Sequence, residues 1–305
     1  MQFRTVLVGI VLFVLTACAT PVTDGRLRVV ATTGQISDAV RAIAGDRVLL
    51  RTLLGPGIDP HTYIATESDL FALQEANLIL YNGLHLEAGL SRVFENIHRR
   101  GYVRAVAVAE AVPQHLLLEW PDHDKAYDPH VWHDPQRWRY AVIAIRDALI
   151  AVDPAGSEIY QQRSERYLAD LQALDRELRM MAERIPPERR ILVTAHDAFR
   201  YFGQAYGLRV EAVQGISTAT EASASTIRAL TELVVTNRIP AIFVETSVSP
   251  RTIEAVQNAA RAVGHEVRVG GALYSDSLGE PDGPAGTYFG MMRHNMQTIV
   301  EALTS

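Results

Sequence analysis

Apolar positions along the chain alternate between two periods. Leu27–Thr33 is a β-rich run that stops at Gly34, and Ile36–Gly45 repeats its apolar residues at helical spacing. The same pair of signals recurs. RVLLRTLL reads as a strand leading to the loop GPGIDPHTY, TESDLFALQEA as a helix, and NLILYNG as a strand. Beyond His85 the chain reads as helical to about His98, VRAVAVA as a strand, and the stretch from Gln136 as a helix ending near Asp153-Pro154. This alternation predicts an α/β lobe over 27–155 with a mainly parallel sheet.

Residues 156–185 break the alternation. No glycine or proline follows Gly156, and Tyr160, Tyr167, Leu171, Leu174, Leu178 and Met181 form one apolar stripe. The spacing predicts a single long helix, stopped by Pro186-Pro187 and placed as a strut between two lobes. The alternation then resumes over 186–305: RILVTAH, LRVEAVQ, AIFVET and HEVRVGG read as strands with helices between them, and YFGMMRHNMQTIVEAL as the last helix.

Composition adds limits. A chain of 305 residues, 48% hydrophobic and 21% charged, is globular and long enough for two domains. A formal charge of −6 without a basic run excludes a nucleic-acid footprint. Residues 1–17 place Arg4 ahead of the apolar run Val6–Leu15, the layout of an export signal. Leu15-Thr16-Ala17-Cys18 resembles the bacterial lipoprotein processing box, which implies cleavage before Cys18, a lipid on its thiol and a polar tether over 18–26. Cys18 is the only cysteine, so no disulfide is available and core packing alone must hold the exported fold.

The candidate chemistry follows from position. In an open α/β sheet, ligands bind beyond the carboxyl ends of the strands. His61 and His130 lie in loops after first-lobe strands, each in an Asp-Pro-His tripeptide, and His196 and Asp276 follow second-lobe strands. Imidazole and carboxylate are metal donors, and one divalent ion between the lobes could use all four. The prolines restrict both loops, and each preceding aspartate is placed to fix the turn through backbone hydrogen bonds. Glu245, Asp197 and Tyr288 are candidates for the surroundings of the ion. His133 competes with His130, and the repeated tripeptide favours His130, leaving His133 as an outer-shell or surface residue. Each of these histidines also has the reading of an ordinary hydrogen-bonded residue at a strand end. His123 reads as a solvated loop residue, and Met291, Met292 and Met296 as core.

Together, GPGIDPHTY, YDPHVWHDP, VTAHDAFRYFGQAYGL, VQGISTATEAS, LYSDSLG and TYFGMMRHNMQTIVEAL resemble the solute-binding lipoproteins of bacterial zinc and manganese ABC importers, the metal-binding class called cluster A-I. The resemblance runs through most of the mature chain. It implies that His61, His130, His196 and Asp276 are the metal ligands. It also implies two lobes, each a mainly parallel four-stranded sheet flanked by helices, joined by one long linking helix that limits their movement. The cargo would be one divalent ion, zinc or manganese with iron as a third option. It would pass to a membrane permease driven by a cytoplasmic ATPase. The protein would be lipid-anchored at the outer face of the cell membrane or in the periplasm, with a monomer as the default state.

Three departures bear on the metal. The loop EWPDHDKAY is short and carries only His123 where many zinc-specific members have a long histidine-rich loop. His196 stands where many manganese-specific members carry glutamate, and His133 where an apolar residue is usual. Competing functions are a surface adhesin that keeps the metal site, a zinc-dependent hydrolase, and a receptor for an organic solute or iron chelate. The hydrolase lacks His-Glu-x-x-His, and four protein ligands would leave no open position on a tetrahedral ion.

Overall fold

The computed structural model describes residues 25–305 apart from 102, 122 and 124. The expected export signal, Cys18 and most of the tether lie outside the described residues. Strands β1 (Leu27–Ala31), β2 (Val48–Thr52), β3 (Leu78–Tyr81) and β4 (Arg104–Ala107) form one parallel sheet in the order β2-β1-β3-β4. Strand alternation sorts its two faces. Val29, Ala31, Leu78 and Leu80 pack with helices α1 (Gly34–Ala44) and α4 (Pro135–Val152). Val30 and Ile79 pack with α2 (Glu67–Glu75) and α3 (Ser91–Arg100) on the other side. Both faces are covered, as a parallel sheet requires.

The second lobe holds β5 (Ile191–His196), β6 (Arg209–Gln214), β7 (Ala241–Glu245) and β8 (Arg268–Leu273). They pair in parallel as two two-stranded sheets, β5–β6 and β7–β8, with β5 and β7 side by side, where a single four-stranded sheet was expected. Helices α6 (Arg200–Tyr206), α7 (Ala224–Thr236), α8 (Arg251–Ala262) and α9 (Tyr288–Thr304) complete it.

Between the lobes runs α5 (Ser157–Ala182), 26 residues and about 39 Å at 1.5 Å per residue. Of its expected stripe, Tyr160, Tyr167, Leu171, Leu174 and Leu178 are buried and Met181 is half-buried. Polar ties bind it to both lobes. Tyr167 donates to Asp38 of α1 at 3.1 Å. Arg179 donates to the Ala205 carbonyl at 2.7 Å, and Arg293 of α9 pairs with Glu177 at 2.8 Å. One continuous apolar core takes in Trp138, Leu174, Leu192, Tyr288 and Met296, so it passes under both lobes. The methionines of α9 are core residues, as expected.

The stretch after His85 differs from expectation. Leu84 and His85 take left-handed φ of 51° and 67°, and α3 begins only at Ser91. The cause is Glu87, whose buried carboxylate accepts from the backbone N–H groups of Asn82 at 2.7 Å and Gly83 at 3.2 Å and from the Thr32 hydroxyl at 2.7 Å. Those bonds fold the chain into a turn where periodicity alone suggested helix.

Candidate metal centre

Each Asp-Pro-His tripeptide builds the same turn. Asp59 Oδ1 accepts from the His61 backbone N–H at 2.8 Å, and Asp128 Oδ1 from that of His130 at 3.0 Å. The second Asp-Pro of YDPHVWHDP has a different task. Asp134 caps α4, accepting from the Gln136 N–H at 2.8 Å, with Pro135 in the first turn. His196 is the last residue of β5, and its backbone N–H donates to Glu245 Oε1 at 2.8 Å, across to the end of β7. Asp276 follows β8, between Ser275 and Ser277.

These four side chains converge. One donor atom from each lies within 4.8 Å of the other three, and all four residues are buried. His61 Nε2 is 3.2 Å from His130 Nε2. Asp276 Oδ1 is 3.4 Å from His130 Nε2, and Asp276 Oδ2 is 3.3 Å from His196 Nε2. Bonds of about 2.0–2.1 Å to a tetrahedral ion put neighbouring donors about 3.3 Å apart, so these edges suit a small divalent cation.

Carboxylates stand behind two of the rings. Asp128 Oδ1 accepts from His130 Nδ1–H at 2.8 Å, and Glu245 Oε2 from His196 Nδ1–H at 2.5 Å. Such partners fix the ring and make its other nitrogen a stronger donor. His61 Nδ1 has no hydrogen-bond partner among the described residues.

Electrostatics separate the ligands. Burial holds His61 down at about 3, against the pull of Asp276, so its ring is neutral at pH 7. Burial also works against charge on His130, but Asp128 and Asp276 outweigh it and push the ring up to about 9. His196 is raised well above its ordinary value, where Glu245 and Asp276 overcome burial. Asp276, despite burial, is held well below the usual carboxylate range by His196 and His130. At pH 7 the metal-free His130 therefore carries a proton that an ion must displace. Zinc binding at pH 7 is expected to release protons, and affinity should rise with pH as the raised His130 and His196 rings lose theirs. Calorimetry in buffers of different ionisation enthalpy checks this; a binding heat independent of buffer would show the rings already neutral.

The other expected residues are distributed as follows. Glu245 holds His196, as described. Tyr288 donates to the Trp132 carbonyl at 2.7 Å and so braces the Val131–His133 turn without touching a ligand. Asp197 sits 3.7 Å from Arg200, and burial, then the charge of Asp128, raises it to about 6. His133 departs from the surface alternative. It is fully buried, with its ring 4.4 Å from that of Phe199, because the short turn after His130 swings it inward. His123 is exposed and packs its ring 4.4 Å from Trp120. Two partners were missed: Asp128 as the holder of the His130 ring, and Trp132, whose Nε1–H donates to the Ser275 carbonyl at 2.9 Å beside Asp276. The aspartate is visible in the tripeptide, but its bond to the ring depends on side-chain torsions that no spacing encodes. Trp132 also packs 5.2 Å from the His130 ring, closing the cage with apolar surface instead of lining a solute pocket.

The profile of the family described as "ZnuA: Zinc-uptake complex component A periplasmic" matches residues 29–302. "Zinc-binding protein TroA" of Treponema pallidum (strain Nichols) is 46% identical over 282 residues, covering 92% of this chain and 90% of its own. "Manganese-binding lipoprotein MntA" of Bacillus subtilis (strain 168) is 42% identical over 295 residues, covering 95% of each. Among solved structures, the periplasmic zinc-binding protein TroA of Treponema pallidum superposes with a TM-score of 0.89 at 44% identity, covering 92% of this chain and 100% of that one.

Proposed function

The chain belongs to the family of periplasmic zinc-uptake component A proteins, and from that premise we propose that it captures one divalent ion, zinc ahead of manganese, on His61, His130, His196 and Asp276. Members are extracytoplasmic solute-binding proteins of metal ABC importers, not enzymes, and work with a membrane permease and its ATPase. The observation that carries the ligand assignment is the convergence of four buried donors, three from loops and His196 from the end of β5. Three imidazole nitrogens and one carboxylate favour zinc over manganese, whose preferred donors are oxygen. Glu245 and Asp128 support the same preference by strengthening two nitrogen donors. The named metals of the two relatives differ, so the choice rests on this chain's own donors.

The test is calorimetric titration of chelator-stripped protein with zinc and with manganese, repeated on His196→Glu. One equivalent of zinc should bind more tightly than manganese, and the variant should move the balance toward manganese by replacing nitrogen with oxygen. Equal or tighter manganese binding by the wild type would reject the preference. If neither ion binds at one equivalent, the site itself is rejected.

Attachment through a lipid on Cys18 and a monomeric state belong to the same proposal. The Leu15–Cys18 box and the word lipoprotein in the name of the Bacillus subtilis relative support the anchor. Failure of the wild-type chain to take up labelled fatty acid, with Cys18→Ser as the blank, would count against it.

A further inference from the structure

The four donors are not held alike. His130 and His196 each have a carboxylate on Nδ1, from Asp128 and Glu245. His61 Nδ1 has no hydrogen-bond partner among the described residues. The direction of the His61 ring therefore depends on the backbone of its own loop. That loop is fastened to the opposite lobe at two places. Thr218, in the loop after β6, donates its hydroxyl to Asp59 Oδ2 at 2.6 Å. Gly57 donates its N–H to the Ser277 hydroxyl at 3.0 Å, next to ligand Asp276. Gly57 reaches this position with φ of 72°, and a Cβ there would stand 3.5 Å from the Thr246 carbonyl of the second lobe.

Asp59 joins these facts. Its Oδ1 accepts from the His61 N–H at 2.8 Å, while its Oδ2 accepts from Thr62 at 3.0 Å and Thr218 at 2.6 Å. One carboxylate thus grips the ligand's backbone with one oxygen and the far lobe with the other. We propose that Thr218 is a positioning residue for His61. Acting through Asp59, it makes His61 a full ligand only while the lobes stand together. His130 and His196 keep their geometry through carboxylates of their own, so among the three imidazoles His61 is the one whose hold is conditional and the first to let go. This rests on the metal-binding reading above.

The probe is zinc, and the readout is its dissociation into excess chelator. Thr218→Val keeps the shape and removes the hydroxyl. Loss of a hydrogen bond to a carboxylate at this half-buried place should speed release about tenfold. Association and the melting temperature of the metal-free protein should change little. Thr218→Ser should restore slow release. In a His61→Ala background, Thr218→Val should have no further effect, since the residue it positions is gone. If His61→Ala sheds zinc too fast to follow, equilibrium competition with a chelating dye makes the same comparison. Unchanged release from Thr218→Val alone overturns the proposal. An equal acceleration in both backgrounds also overturns it, because Thr218 would then act on the lobes in general. Failure of the wild type to hold one equivalent of zinc removes the metal site itself, a result distinct from either.

Discussion

Asp276→Asn is expected to weaken zinc binding by a hundredfold to several thousandfold. The carboxylate is the only anionic donor among the four converging side chains. Its two oxygens face His130 and His196 at 3.4 Å and 3.3 Å. Removing one member of a buried charge pair costs about 3–5 kcal/mol, roughly 10²–10⁴ in affinity. Asparagine keeps the volume, so the fold of the metal-free protein should persist. A second signature separates lost charge from general damage. Asp276 contributes to raising both imidazoles, so without it their pKa values fall and fewer protons leave when zinc enters. Calorimetry of wild type and variant in paired buffers measures affinity and proton release together. A variant with near-wild-type affinity would remove Asp276 from the ligand set.

The largest effect on stability is expected from Trp138→Ala. Trp138 of α4 is fully buried, and its ring stacks against that of Tyr288 of α9, 5.8 Å between centroids and 22° between planes. The pair joins a first-lobe helix to a second-lobe helix within one core. Truncating a buried tryptophan costs about 3–5 kcal/mol, a large share of the 5–15 kcal/mol that typically separates native from unfolded states. Urea denaturation of the metal-free protein should show a clearly lowered midpoint. A shift worth less than about 1 kcal/mol would mean that the site collapses around the loss. Trp138 is not one of the four converging donors, so the variant that remains folded should bind zinc much as the wild type does.

The donors were legible because their signals are local. His61 and His130 announce themselves by a repeated tripeptide, and His196 and Asp276 by falling at or just beyond strand ends in an alternating chain; Glu245, which holds the His196 ring, was marked by the same position. The strut was legible from the stripe running from Tyr160 to Leu178. What stayed hidden depends on where a side chain points after the backbone turns. The inward swing of His133 follows from a short turn that begins at His130. The left-handed step at Leu84 and His85 follows from the buried carboxylate of nearby Glu87. The shared core was hidden for a different reason. A periodic stripe on α4 or α9 shows that the helix has an apolar face and is silent about which helix that face will meet, so the meeting of Trp138 with Tyr288 is decided only by the tertiary packing.

The unbroken core beneath the lobes bears on how such a protein can evolve. In receptors whose halves meet only at a cleft, recombination can exchange one half and leave the other folded. Here an exchange would cut through Trp138, Leu174 and Tyr288, which pack in the same cluster. A foreign half would bring mismatched side chains to a close-packed interior, where even a methylene is felt. The two halves are therefore bound to be inherited as a unit. A change of metal preference that leaves the interior matched is one confined to the cage, where His196 is the position to vary.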